Sequence, residues 1–191
     1  MHKRKNLKTV IKTAVLLLLG TSLLYAFTSG APPRYTGGFE DNTCAMCHNS
    51  YDLDSGRDLD GTFDIIGVPD QYTPGEVYPI TVTIAQPAQK KWGFQLAVRA
   101  QDTGEQAGII EITDSRNTVV DVSQGVQFIN QTRAGAQEGV VDGPVSWTFN
   151  WRAPDTVMGD VVFHAAGNAA DGDGSYAGDY IYTDSKVAMA P

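Results

Sequence analysis

Apolar and polar residues alternate along most of the chain from residue 61 onward. In residues 77–84, isoleucine and valine take every second position from Ile80 onward, and threonines lie between them. This period of two is typical of a strand that buries one face in a core. Eight further segments are predicted as strands: 63–68, 92–100, 109–113, 118–122, 126–130, 145–153, 160–165 and 180–187. The turn sequences between them favour an antiparallel sandwich.

Residues 31–60 have a different composition. They are rich in Gly, Pro, Asp and Asn, contain few apolar residues and show no helical period. We therefore predict an all-β protein, an immunoglobulin-like antiparallel sandwich over 61–191, preceded by a short irregular arm over 31–60. Three tryptophans, Trp92, Trp147 and Trp151, are predicted as core aromatics of the sandwich.

The first thirty residues are typical of an export signal. Five basic residues, the last of them Lys12, precede an apolar run from Ala14 to Phe27. Because this run is shorter than the roughly 20 residues that span a bilayer, we expect a cleaved signal rather than an anchor. Cleavage after Ala26 or Gly30 would release a protein without a transmembrane segment into the periplasm, onto the cell surface or into the medium.

Net charge restricts the partners. Of the 14 Lys and Arg residues five lie in the signal, whereas all 22 Asp and Glu residues follow it, so the mature chain has nine basic side chains and a formal charge of −13. Nucleic acid and anionic membranes are therefore poor partners, and basic proteins are better ones.

Both cysteines lie in the pentapeptide Cys44-Ala45-Met46-Cys47-His48, here called the motif. Its spacing is that of covalent haem c attachment, in which Cys44 and Cys47 hold the porphyrin vinyl groups and His48 ligates the iron from the proximal side. A zinc site would need further ligands that no second Cys pair supplies. A thioredoxin-like dithiol would need a βαβ context, and a plain disulfide is the simplest alternative.

The opposite side of the iron has few candidate ligands. His2 lies in the signal, so His164 is the remaining imidazole. If Phe163 points into the core, strand alternation points His164 outward, where a haem could meet it. Met158 and Met189 are alternative ligands, as is His164 of a second copy, which would bring haems together by self-association.

An acidic loop over residues 171–179 spaces Asp171, Asp173 and Asp179 like part of a calcium loop. The bidentate Glu of an EF-hand is missing, since Tyr182 takes that position. A solvated hairpin between two strands is the simpler interpretation, and calcium binding stays open.

The segments Tyr72-Thr73-Pro74-Gly75, Trp92-Gly93-Phe94-Gln95, Trp147-Thr148-Phe149-Asn150-Trp151 and Val162-Phe163-His164-Ala165-Ala166-Gly167-Asn168 resemble the reeler-type β-sandwich. The similarity covers roughly residues 60–185. With the motif ahead of it, the chain resembles bacterial exported c-type haem proteins with a reeler-like domain, which often carry a C-terminal anchor that is not seen before Pro191. The resemblance implies a surface or exported location and little about chemistry.

These observations favour an exported monohaem c-type cytochrome that carries single electrons to or from redox partner proteins. Two alternatives remain: a haem protein with an open distal site, acting in peroxidase chemistry or gas binding, and a haem-free adhesion or matrix module. With one histidine left in the body of the chain besides the motif, triad catalysis is disfavoured.

Overall fold

Two antiparallel sheets form a sandwich in the computed structural model, which describes residues 30–191; the predicted signal lies outside these residues, apart from Gly30. One sheet has the strand order β1-β2-β7-β4 and the other β5-β6-β3-β8-β9. The strands are β1 Thr62–Ile66, β2 Val77–Ala85, β3 Lys91–Ala100, β4 Ile109–Glu111, β5 Thr118–Ser123, β6 Val126–Gln131, β7 Val145–Arg152, β8 Val161–Ala170 and β9 Tyr180–Ala188. The predicted all-β, immunoglobulin-like sandwich is confirmed.

The core lies between the sheets and follows the alternation in the sequence. Ile80 of β2 pairs with Phe149 of β7, and both side chains point inward and are fully buried. The three tryptophans are at most 2% exposed, as predicted, and their indole N–H groups donate to the backbone carbonyls of Val140, Gly135 and Ala107. Each buried polar atom of these rings is thereby satisfied.

Strand β8 continues five residues beyond its predicted end at residue 165. The extension contains Ala166 and Gly167, which the alternation of large residues did not reveal as strand. A Cβ atom at Gly167 would lie 2.5 Å from the ring of Phe63, so glycine here makes room for the aromatic core. The extension also carries Asn168 to the outer face of the sheet, where it becomes important for the site.

The arm, residues 31–60, contains two short 3-10 helices, Cys44–Met46 and Ser55–Leu59. It packs on the outer face of the five-stranded sheet. Gln95 of β3 donates to the carbonyls of Ala31 and Pro32, at 3.2 and 2.9 Å, and accepts from the backbone N–H of Tyr35 at 2.6 Å. The arm is therefore bonded to the sheet through a polar side chain.

Strand β3 is more deeply buried than its sequence predicts. The alternation in β3 predicts a half-buried strand, yet every residue from Trp92 to Ala100 is buried. The outward-facing residues Gln95 and Arg99 are covered because the arm lies over them.

None of the helices within residues 30–191 is both long and apolar enough to cross a membrane.

Candidate functional site

The motif forms a single turn of 3-10 helix at the middle of the arm. Thr43 caps it, since its hydroxyl accepts from the backbone N–H of Ala45 at 3.3 Å. The N–H groups of Cys47 and His48 both donate to the carbonyl of Cys44, at 3.2 and 3.0 Å. This turn places Cys44, Cys47 and His48 side by side, with Cys47 exposed and Cys44 partly covered.

His48 is held against the sheet by three neighbours. Its Nδ1 atom lies 2.5 Å from Oδ2 of Asp179, and the amide nitrogen of Asn168 lies 3.3 Å from Nδ1 and 3.4 Å from Nε2. The ring of Tyr176 meets the imidazole edge-on, with centroids 5.0 Å apart. Because Asp179 occupies Nδ1, a metal would have to bind at Nε2, where it would replace the contact with the Asn168 amide.

A cavity of about 410 Å³ opens between the arm and the outer face of the sheet, and all three residues of the proposed attachment site line it. This motif cavity is within the range of small-molecule and cofactor sites. It is lined mainly by aromatic and small residues, with one cation, one carboxylate and two amides: Tyr35, Lys91, Trp92, Gly93, Phe94, Gln131, Asn168, Gly172, Tyr176 and Asp179. Oδ1 of Asn168 is buried without a hydrogen-bond partner.

The two thiols have different surroundings. Burial raises the pKa of the Cys44 thiol to about 12, an effect to which the nearby Cys47 adds. Cys44 is therefore protonated at neutral pH and is not a reactive thiolate of the kind that redox dithiols use. The pair is not joined by a disulfide in this structure.

His164 lies on the outer face of β8, as strand alternation predicts, while Phe163 is buried in the core. It does not line the motif cavity. Its imidazole lies beneath Gly38 and meets the ring of Phe39 edge-on at 5.1 Å. Burial lowers the pKa of His164, and the charge of Arg99 lowers it further.

The structure does not bring His164 and His48 together. His48 contacts Asn168, which is four residues from His164 along β8, a separation of roughly 13 Å at ~3.3 Å per residue. Two axial ligands of one iron must lie within a few ångströms of each other on opposite sides of it. The distal role of His164 stays a prediction that needs either a displaced arm or the imidazole of a second copy.

The two alternative distal ligands are also outside the motif cavity. Met158 packs against the core, and its backbone N–H donates to the hydroxyl of Tyr72 at 3.0 Å. Met189 is about half exposed near the end of the chain. Neither residue is placed beside His48 in the described chain.

The acidic loop lies against the motif. The carboxylates of Asp171 and Asp173 accept from backbone N–H groups within the loop, at 2.9 and 2.6 Å. No group of three or more His, Cys, Asp and Glu side chains within residues 30–191 is placed to hold a metal ion. What this loop contributes to the site is Tyr176 and Asp179, both in contact with His48.

A second cavity, of about 460 Å³, lies between the loop that follows β3, residues 103–106, and the β5–β6 hairpin, residues 123–126, and Arg34 and Arg99 line it as well. Arg99 is almost fully buried, and its Nη2 atom lies 2.6 Å from Oδ2 of Asp41. Its guanidinium also contacts the faces of Phe39 and Phe128, each at 5.3 Å. None of the motif residues lines this cavity, and Arg34 is the one residue of the arm that does.

Sequence reasoning missed the neighbours of His48. Asp179 is 131 residues from His48, and its contact depends on the hairpin between β8 and β9. Strand alternation could have placed Asn168 on the face of His164, had β8 been extended that far. Tyr176 and Asp179 were recognised only as parts of a possible calcium loop.

A scan against protein-family models and a search of curated proteins found no match. Solved structures that resemble the chain include the human F-spondin reeler domain, 21% identical over 69% of this chain and 89% of that one, with a TM-score of 0.47. The Reelin-N domain of F-spondin is 19% identical over 77% and 96%, with a TM-score of 0.48. A cohesin module of a Clostridium perfringens family 33 glycoside hydrolase is 14% identical over 68% and 94%, with a TM-score of 0.46.

Proposed function

We propose that the chain is an exported monohaem c-type cytochrome that carries single electrons. The observation that supports this most is that Cys44, Cys47 and His48 line one largely apolar cavity. The arm and the sheet form this cavity together. A porphyrin needs apolar walls, which the irregular arm could not supply alone and to which Ala136, Ala170 and Tyr176 contribute from the rest of the chain.

The residues of the motif cavity fit the donor set of haem c. Cys44 and Cys47 would hold the porphyrin through thioethers, and Nε2 of His48 would ligate the iron. Lys91, which lines the cavity and whose Nζ atom lies 3.2 Å from Oε2 of Glu138, would offer a cation to a propionate. The iron, when bound, supplies reversible one-electron oxidation and reduction. The protein's own part is to orient His48 and to keep water from one side of the cavity.

The charge of the chain supports a basic redox partner. A formal charge of −13 on residues 31–191 attracts a basic protein and speeds encounter at low ionic strength. The partner would be a protein that donates or accepts one electron.

The test is to produce the chain in a host that matures c-type cytochromes and to measure the mass and spectrum of the mature protein. We expect one covalent haem and the reduced absorption bands of a c-type haem. The matched control is C44S/C47S, which we expect to carry no haem. An unmodified mass for the wild-type protein would overturn the proposal. Adding CO to the reduced protein then separates a six-coordinate carrier, which does not bind it promptly, from a haem protein with an open distal site.

A haem-free binding module is the second candidate, and the completeness of the core favours it. The inward faces of both sheets are filled by the chain's own side chains, including Phe63, Trp151 and Phe163, none of which is exposed. The sandwich therefore does not need a cofactor to close its core. The mass measurement decides between the two candidates.

A further inference from the structure

We infer that Asp179 is a positioning residue that lowers the reduction potential of the site through its hydrogen bond to His48. This inference rests on the proposed haem function. It assigns to the acidic loop a role in tuning the iron.

The contact between Asp179 and His48 is buried on the carboxylate side. The side chain of Asp179 is 1% exposed, and its Oδ2 atom lies 2.5 Å from Nδ1 of His48. Its other oxygen accepts from the backbone N–H of Asp171 at 3.3 Å. A carboxylate withdrawn from water is stabilised only by such donors, so the bond to Nδ1–H is worth more here than it would be on the surface.

The fold holds Asp179 in this position. It immediately precedes β9, whose register with β8 is fixed by the pairing of Ala169 with Tyr180. The backbone N–H of the preceding residue, Gly178, donates to the hydroxyl of Ser50 at 3.0 Å, which fastens the acidic loop to the arm two residues after His48. The strand and the arm thus meet at the imidazole.

The orientation of the ring determines its chemistry. With Nδ1–H donated to a carboxylate, the imidazole gives more electron density to a metal at Nε2. A buried negative charge beside the ligand acts in the same direction. Both effects favour the oxidised, more positively charged iron, and the potential therefore falls.

The experiment compares midpoint potentials of the haem-loaded wild type, D179N and D179E, titrated with dithionite as the one-electron reductant. D179N keeps the shape and removes the charge, so we expect a more positive midpoint. D179E keeps the carboxylate and should stay nearer the wild type. The control D52N removes an equal charge from an exposed residue of the arm, four residues after His48, and should change the midpoint less.

Equal midpoints for haem-loaded D179N and wild type would overturn the inference while leaving the proposed function intact. A wild type that carries no haem would overturn both the proposed function and this inference.

A second measurement needs no variant. With ¹⁵N-labelled histidine, the NMR spectrum of the reduced wild type should show a downfield Nδ1–H proton of His48 that exchanges slowly with water. A rapidly exchanging Nδ1–H would contradict the bond to Asp179.

Discussion

Gly38 of the arm lies directly against the imidazole of His164 in strand β8. A Cβ atom added at Gly38 would lie 2.1 Å from Cγ of His164, and Gly38 needs no positive φ angle that would explain glycine otherwise. Because burial lowers the pKa of His164, the imidazole is neutral at pH 7. At this position His164 acts as a packing surface for the arm.

We predict that G38A destabilises the protein by about 1–3 kcal/mol, the usual cost of overpacking. In an H164A background the same substitution should cost much less, because the clashing ring is gone. Urea unfolding of the four members of this double-mutant cycle measures the coupling. Equal costs of G38A in both backgrounds would show that the arm does not lie on His164.

The residue scale also shows what sequence can reveal. The motif could be singled out as a candidate site because five consecutive residues contain both thiols and an imidazole. Asp179 and Asn168 were not recognisable as partners of His48, since their contacts depend on strand register and on a hairpin more than a hundred residues away.

At the scale of elements, the arm is held to the sheet by polar contacts and by a buried ion pair. Asp41 of the arm has a fully buried side chain that accepts hydrogen bonds from Arg99, Arg34 and Thr36.

The periodicity of the sequence was sufficient to predict nine strands, because the apolar residues that pack the sheets together recur at every second position. The arm has no such period, and its packing over β3 could not be predicted from the pattern.

Removing the carboxylate of Asp41 should lower the free energy of unfolding, because it leaves Arg99 charged and buried without its partner. We expect D41A to destabilise the protein by about 3–5 kcal/mol in urea unfolding. The matched control is E111A, which breaks the half-exposed pair between Glu111 and Arg152 and should cost about 0–1 kcal/mol. Similar losses for the two variants would mean that the arm is not fixed by Asp41.

In the whole molecule, the sandwich core and the motif cavity lie on opposite faces of the five-stranded sheet. The core lies between the sheets, whereas the cavity lies outside the five-stranded sheet, under the arm. Residues such as Phe63 and Phe163 are fully buried by protein alone. We therefore expect the sandwich to fold whether or not the motif cavity is occupied.

This separation predicts that C44S/C47S, although unable to hold a covalent haem, keeps the sandwich. We expect an unchanged β-type far-UV circular dichroism spectrum and a single cooperative urea transition, because serine is close in size to cysteine and neither position belongs to the core. As a control for sensitivity, F163A should lower the free energy of unfolding by roughly 3–5 kcal/mol, since it opens a cavity in the core. If the serine variant instead lost its cooperative transition, the haem would have to be part of what closes the fold, and the arm and sandwich would fold as one haem-dependent unit.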